Sequence, residues 1–498
     1  MLHEYGTQAA CVNVRQLNLK GASFHDLAEH VSGREDFALL DSRTDDGGLG
    51  EFSMFSFAPF ARLVSKAGKT ILYENGRPRV VGDVFTPIHD LLERYAISPP
   101  PEGPALPFYG GAIGYFSYEL GRQIEKLPET ARDELGLPDY SLCFYNFTVA
   151  LDRRDNAVFL CHFQPADTPA PTMEDVEAEL RRACPGGYTR RMPKTSRNGA
   201  RSKCLIQADF EKGAYIDAVR RIKDFIYAGD VYQVNMTQRF RASLGAAHPW
   251  TLYKHLMEVN PSPFAAYLNW RGHTVVSSSP ERFLRLANRA VEARPIKGTI
   301  RRGADPREDA INRERLFHSS KDRAELAMIV DLLRNDLGRV CTAGSVKVRA
   351  FPELETYASV HHLVSTITGE IADGRSVIDL IQATFPGGSI TGAPKIRAME
   401  IIDELEPVTR GVYCGSIGYL GFDGSADLNI AIRTIVVKDG QAYIHAGGGV
   451  VADSNETDEY EESLLKASRL FSAVEGVSAM TASRQNRRTS ASFGGALR

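Results

Sequence analysis

The early part of the chain alternates short apolar runs with turn residues. FALLDS (37–42), FSMFSFAPFARLV (52–64), KTILYE (69–74) and LCFYNFTVALDRR (142–154) are each cut by Gly, Asp or Pro, the pattern of extended strands. From Ala208 the apolar spacing lengthens to a helical period in EKGAYIDAVRRIKDFIYAG (211–229), AELAMIVDLLRNDLGRV (324–340), PKIRAMEIIDEL (394–405) and EYEESLLKASRLFSAVEG (459–476). Strand-like runs such as FAAYLNW (264–270), TVVSSS (274–279) and LNIAIRTIVV (428–437) lie between them. These patterns predict a sheet-rich N-terminal region over 1–163 and a mixed helix and strand region over 207–476. Residues 164–206 read as a linker or insertion with one short helix near Met173–Ala183, followed by the basic stretch PGGYTRRMPKTSRNGARS (185–202). The tail 477–498, small and polar, reads as disordered.

One echo joins the two parts. Gly110 to Tyr115 reads GGAIGY and Cys414 to Tyr419 reads CGSIGY. Either the halves share an architecture or a short glycine pattern has arisen twice by chance.

Composition narrows the function classes. The 498 residues carry 59 Lys plus Arg against 62 Asp plus Glu, a net charge of -3, which disfavours polyanion binding. The 7 cysteines are odd in number and form no metal-ligand spacing, as in a reducing compartment. The N-terminus lacks the order of a signal peptide and no run of about 18 apolar residues occurs, so a cytoplasmic protein is expected.

Several segments are candidates for chemistry. FPGGSITGAPK (385–395) approaches a phosphate loop, but Gly387 and Gly392 are followed by Ala393-Pro394, which displaces the lysine and leaves no magnesium-binding hydroxyl. A loop feeding a helix near Pro394 remains, suited to an anionic small molecule or to no ligand at all. HAGGGVV (445–451) places three glycines at the end of a strand, where a second strand or a ligand must come close. Asp322 with Glu325, and Glu459 with Glu462, each share a helix face by their spacing of three. Such faces are commonly solvated, but two of them facing each other supply oxygen ligands for Mg²⁺. Lys297 in PIKGT stands among apolar and turn residues, either on the surface or in a partly dry site where an amine loses pKa.

In order and wording these segments resemble the chorismate-utilising enzymes. The resemblance is strong through AGDVYQVN (228–235), SSSPERF (277–283), RPIKGTIRRG (294–303), HHLVSTITG (361–369), GGSITGAPKIRAMEII (387–402), GSIGYLGFDG (415–424) and HAGGGVVADS (445–454). It is weaker through LLDS (39–42) and PFYGGAIGYFSYE (107–119). It implies an α+β fold in which extended β-sheets flanked by helices surround a buried chorismate site. It also implies that Glu325 and Glu462 ligate Mg²⁺, with Glu459 and Asp322 beside them. Glu281 matches the acid that assists loss of the chorismate hydroxyl, and His362 the active-site histidine. Gly298, Thr299, Ser389, Tyr419, Arg433 and the run Gly447, Gly448, Gly449 match substrate-contacting positions, where Arg433 can fork onto a carboxylate and the glycines offer N–H donors.

Two positions choose within the family by the same resemblance. Members that add water carry a lysine where this chain has Gln233, and a neutral amide cannot serve as that base, which leaves ammonia as nucleophile. Lys297 occupies a position that is alanine in typical anthranilate synthases and lysine in many aminodeoxychorismate synthases. The resemblance thus points to component I of aminodeoxychorismate synthase, on the path to folate. No cysteine lies in a glutaminase nucleophile elbow, so a separate glutamine amidotransferase subunit is expected to supply ammonia. The alternatives are anthranilate synthase component I, whose tryptophan site Ser42 in LLDS resembles, and a non-catalytic sensing or assembly subunit, which intact Glu281, Glu325, Lys297 and Glu462 argue against.

Overall fold

The protein is described from a computed structural model that places residues 11–19, 21–44, 49–183, 205–357 and 360–493, with side-chain environments through Ser478. Two antiparallel sheets of twelve strands each stack face to face, with helices covering the outside. The fold is α+β.

Strands that read as continuous apolar runs are covered on both faces. Gly111–Phe116, Tyr140–Tyr145 and Phe147–Asp152 have every residue buried, whereas Ala61–Lys66 alternates buried and half-buried positions. One core spans both faces of the second sheet: Tyr115 reaches His273 of the first sheet between the two, while Phe116 and Phe144 pack on the opposite face against Phe385 and Phe422. A second lies between one sheet and the helices Phe24–Val31, Met173–Arg182, Pro249–Val259 and the start of Glu456–Phe493.

The echo between the halves is structural. Each half sends a hairpin into the first sheet, two hairpins into the second, and a last hairpin back into the first. In the early half these are Phe37–Asp41 with Phe52–Ser56, Ala61–Lys66 with Lys69–Glu74, Gly111–Phe116 with Tyr140–Tyr145, and Phe147–Asp152 with Ala157–His162. In the later half they are Phe264–Trp270 with His273–Ser279, Arg282–Ala287 with Ala290–Ala293, Ser416–Gly421 with Ala426–Asn429, and Thr434–Lys438 with Gln441–Val450. The GGAIGY and CGSIGY segments are neighbouring strands, and Gly114 faces Gly418 in register. A Cβ on Gly114 would lie 2.0 Å from the Ser141 carbonyl oxygen, and one on Gly418 2.0 Å from that of Asp427. Both glycines meet the same steric requirement at equivalent positions, as the shared architecture demands. The halves also meet in the first sheet, where Leu39 faces Tyr267. Segments 1–163 and 207–476 therefore contribute strands to both sheets.

Within the segment read as a linker, helix Met173–Arg182 is capped by Thr172 and Asp175 and buries Met173, Val176 and Leu180. The basic stretch 185–202 lies outside the described residues. Where the sequence reading placed a disordered tail from 477, helix Glu456–Phe493 continues. No Pro or Gly interrupts the chain between Val477 and Phe493, so a helix nucleated by packing upstream propagates through it. Among the described residues no helix is long and apolar enough to cross a membrane.

Candidate active site

The site gathers where edge strand Ile296–Arg301, helix Ser320–Gly338, strand Gln233–Ser243, strand Gln441–Val450 and the start of helix Glu456–Phe493 converge. Strand Ile296–Arg301 pairs with Val360–Glu370, and its register shifts between Lys297 and Thr299. Gly298 fills that irregularity at φ 75°, where a Cβ would lie 2.9 Å from Asp322 Cγ. Only glycine fits there, and the bulge re-aims the side chains on either side.

Lys297 Nζ donates to the Ser389 carbonyl oxygen at 3.0 Å. Burial pushes its pKa down, opposed by the negative charges of Glu325, Glu281 and Glu462 and reinforced by Lys466. Glu281 is buried, and its carboxyl is pushed up to about 7 by burial, against the opposing pull of the Ser389 hydroxyl and the Lys297 ammonium. The site thus holds an amine biased toward its neutral form beside a carboxyl biased toward its acid form. Thr299 Oγ1 and His362 Nδ1 are 2.8 Å apart, and burial followed by the Arg433 charge pushes His362 down to about 4, so its imidazole is neutral near pH 7.

Helix Ser320–Gly338 brings Glu325 to Gln233, whose Nε2 donates to Glu325 Oε2 at 3.1 Å. The Gln233 amide oxygen, Oε1, is buried with no partner among the described residues. Glu459 accepts from Ser454 Oγ at 2.6 Å, and burial together with the Glu462 charge raises its pKa. Burial also acts to raise Glu462, but Lys466 at 2.6 Å, Lys321 and Lys297 outweigh it and hold its carboxyl below the ordinary value.

The three glycines face different neighbours. A Cβ on Gly447 would strike the Met236 carbonyl oxygen at 2.0 Å, and one on Gly449 would strike Gln233 Nε2 at 2.5 Å. A Cβ on Gly448 would reach Glu459 Oε2 at 3.1 Å and Glu462 Oε1 at 3.3 Å. The run keeps open the space in front of the carboxylates while letting the adjacent strand close in. Oxygen donors from Glu325, Glu459 and Glu462 suit a hard divalent cation. Among the described residues no three such side chains form a cage on their own. Mg²⁺ characteristically takes one or two carboxylates and completes its shell with substrate and water.

The glycine-rich loop does not cradle a phosphate. A Cβ on Gly387 would lie 2.6 Å from Ile430 Cδ1, one on Gly388 2.5 Å from Leu332 Cδ2, and one on Gly392 2.1 Å from the Gln233 carbonyl oxygen. The loop is wedged into the wall of the site, where its Ser389 carbonyl also accepts from Asn235 Nδ2 at 2.9 Å. Pro394 is the N-cap of helix Lys395–Leu405, and Lys395 Nζ is engaged by Asp336 at 2.6 Å. A buried ion pair pins the loop from behind. Arg410 Nη2 donates to Glu406 Oε1 at 2.6 Å and to the Asn235 carbonyl at 2.7 Å, and its Nη1 to the Ile390 carbonyl at 2.9 Å.

One residue expected here, Tyr419, lies elsewhere. Tyr419 packs its ring on Phe108, 5.1 Å between centroids, beside Asp427 and Asp423, because its strand turns that side chain away from the carboxylates. The tyrosine whose hydroxyl feels the Arg433 charge is Tyr413, stacked on His445 at 5.2 Å. Ser42 belongs to a separate cluster, donating from Oγ to the Pro263 carbonyl at 2.7 Å. Next to it, buried Asp41 accepts from Tyr253 Oη at 2.6 Å and Ser53 Oγ at 2.6 Å. Burial works to raise Asp41, but His25 and Arg43 hold it below its ordinary value. Arg433 lies at φ 52° and donates from Nη1 to the Lys466 carbonyl. Tyr413 and Lys466 were missed in the sequence, although Lys466 stands four residues after Glu462, a spacing that pairs charges on a helix.

A buried acid, a depressed lysine, an arginine and carboxylates brought to neighbouring elements suit an enzyme that handles a small anionic substrate. Residues 36–472 match the family of chorismate binding enzymes. Aminodeoxychorismate synthase component 1 of Salmonella typhimurium is 42% identical over 427 residues, covering 85% of this chain and 90% of that protein. Anthranilate synthase component 1 of Geobacillus stearothermophilus is 37% identical over 453 residues, 88% of each chain. The solved anthranilate synthase component I of Streptococcus pneumoniae superposes with a TM-score of 0.71 at 31% identity, over 84% of this chain and 92% of that one. The chain belongs to the chorismate binding enzymes.

Proposed function

We propose that this enzyme aminates chorismate with ammonia to give 4-amino-4-deoxychorismate, the precursor of p-aminobenzoate and folate, as the ammonia-using component of a two-subunit cytoplasmic synthase. The observation that carries the reading is Lys297, whose amine is depressed by burial and flanked by Glu281 and Glu325. In this reading Glu281 donates its proton to the departing ring hydroxyl. The neutral Lys297 amine adds to the ring carbon next to the one that bears the carboxylate, the two ring double bonds shift toward carbon 4, and the hydroxyl leaves as water. Ammonia then adds at carbon 4, the double bonds shift back, and the lysine departs as an amine. The enolpyruvyl group is retained. Arg433 and the N–H groups of Gly447 to Gly449 hold substrate carboxylate, with Thr299, His362 and Gln233 completing the contacts. Glu325 and Glu462, with Glu459 beside them, would hold Mg²⁺, which supplies charge neutralisation at the substrate carboxylate.

Ammonia comes from a glutaminase subunit in this account. The described cysteines other than Cys11 are buried, and burial pushes the Cys414 thiol up to about 12, which removes it as a thiolate nucleophile. The test is incubation of the purified chain with chorismate, Mg²⁺ and ammonium, with pyruvate followed by a coupled enzyme. Consumption of chorismate without pyruvate supports the reading; stoichiometric pyruvate points to anthranilate formation instead.

A second reading concerns Ser42, proposed as part of a tryptophan site. The hydroxyls of Thr44 and Ser262 nearby are buried with no partner among the described residues, which supports an uncompleted polar pocket. Calorimetric titration with tryptophan tests it, and absence of heat at millimolar ligand overturns it.

A further inference from the structure

Strand Gln233–Ser243 turns alternate side chains to opposite faces. Val234 and Met236 join the hydrophobic core, so Gln233, Asn235 and Thr237 share the other face, and all three are buried. Buried polar side chains in a row need partners. Gln233 holds Glu325, and Thr237 Oγ1 donates to Glu406 Oε1 at 2.8 Å, behind the glycine-rich loop. Asn235 stands between them, and no step of the proposed reaction uses it.

Three consecutive carbonyls of the loop accept hydrogen bonds from outside it. Asn235 Nδ2 donates to that of Ser389 at 2.9 Å, Arg410 Nη1 to that of Ile390 at 2.9 Å, and the Asn235 N–H to that of Thr391 at 2.8 Å. Arg410 Nη2 in turn donates to the Asn235 carbonyl at 2.7 Å. Asn235 is therefore fixed at both of its main-chain groups, and its amide is pressed on one peptide unit. That unit belongs to the residue that meets both the amine and the acid. The Ser389 carbonyl also accepts from Lys297 Nζ at 3.0 Å, and the Ser389 hydroxyl bonds the Glu281 carboxyl.

A carbonyl oxygen has two lone pairs. With Asn235 on one, Lys297 is left the other, and its nitrogen is held in a single direction. With no donor at position 235, the amine can bond on either side, and the peptide is free to turn and carry the hydroxyl away from Glu281.

We infer that Asn235 is a positioning residue of the amination, which through the Ser389 peptide aims the Lys297 amine at the ring and holds the Glu281 acid in line with the departing hydroxyl. The inference rests on the function proposed above. Asn235 acts through Ser389, so its loss falls on the covalent step and not on chorismate binding. A displacement of about 1 Å at reacting atoms costs up to about 10²-fold in rate.

The test uses the full chain carrying Asn235→Leu, which keeps the side-chain shape and removes the N–H donors. Enzyme mixed with saturating chorismate and Mg²⁺, without ammonia, is quenched at intervals, and growth of the Lys297 adduct is followed by intact-protein mass spectrometry; kcat and KM for chorismate are measured with ammonium. The adduct rate and kcat are expected to fall together by about 10- to 10²-fold, with KM within about twofold of wild type. Should Asn235→Leu fail to fold, Asn235→Ala, which adds nothing that could clash, gives the same readings. An adduct rate within about twofold of wild type, or a loss that lies in KM, overturns the positioning role alone, since a merely structural Asn235 leaves the step within the bound complex unchanged. Wild-type protein that never forms the adduct overturns the reading of Lys297, and this inference with it.

Discussion

Replacing Glu281 by Gln should slow the enzyme and stabilise it, in a pH-dependent way. The Glu281 carboxyl rises from an ordinary 4.5 to about 7, chiefly by burial. At about 1.4 kcal/mol per unit, that shift corresponds to about 3 kcal/mol of differential stability. Because the folded-state pKa lies above the unfolded one, the stability tied to this proton is fully present below the unfolded value and drains away as pH rises through about 7. Above that pH the fold carries a buried carboxylate that Gln does not have. Urea unfolding at pH 8.5 should therefore find Glu281→Gln up to about 3 kcal/mol more stable than wild type, with a much smaller difference near pH 5. Ammonium-dependent turnover should fall by about 10²- to 10⁴-fold, the usual loss of a general acid. The wild-type rate should decline above about pH 7 as Glu281 loses its proton, and the variant's residual rate should lack that limb. Retention of more than about a tenth of wild-type rate, or an equal stability difference at both pH values, would refute the reasoning.

Other substitutions probe the rest of the cleft. If Glu325 and Glu462 hold Mg²⁺ as proposed, Glu325→Gln or Glu462→Gln should raise the Mg²⁺ concentration for half-maximal rate by at least about tenfold, measured by titration of the metal, since each would remove one of few charged oxygen ligands. Arg410→Met should cost about 3–5 kcal/mol in urea unfolding, because it strands the Glu406 carboxylate in the core; Arg410→Met with Glu406→Gln should recover part of that loss.

Much of the site was legible because local spacing and sequence wording agree. Asp322 with Glu325 and Glu459 with Glu462 could be put on two helix faces from their interval alone, whereas the bulge at Gly298 appears only once the pairing with Val360–Glu370 is known. What spacing cannot give is which strand lies next to which. Tyr413 and Tyr419 stand six residues apart around the same CGSIGY segment, and only the pairing of Ser416–Gly421 with Gly111–Phe116 and Ala426–Asn429 sends Tyr419 toward Phe108. The positive φ of Cys414 reverses the chain between them. The glycines of 387–392 likewise looked like a ligand loop, since glycine demanded by a neighbouring side chain and glycine demanded by a phosphate read the same. The duplication was undecidable from six residues and became plain once the order of hairpins was known.

The central claim is that Lys297 is the nucleophile that distinguishes amination with retention of the enolpyruvyl group from anthranilate chemistry. Intact-protein mass spectrometry of enzyme quenched after mixing with chorismate and Mg²⁺, without ammonia, tests it directly. The account predicts an adduct of chorismate less one water that maps to Lys297, is discharged by added ammonium, and is missing from Lys297→Ala and Lys297→Arg. Unmodified wild-type protein, together with a Lys297→Arg enzyme that makes aminodeoxychorismate at near wild-type rate, would contradict it and leave the lysine a purely electrostatic partner of the substrate.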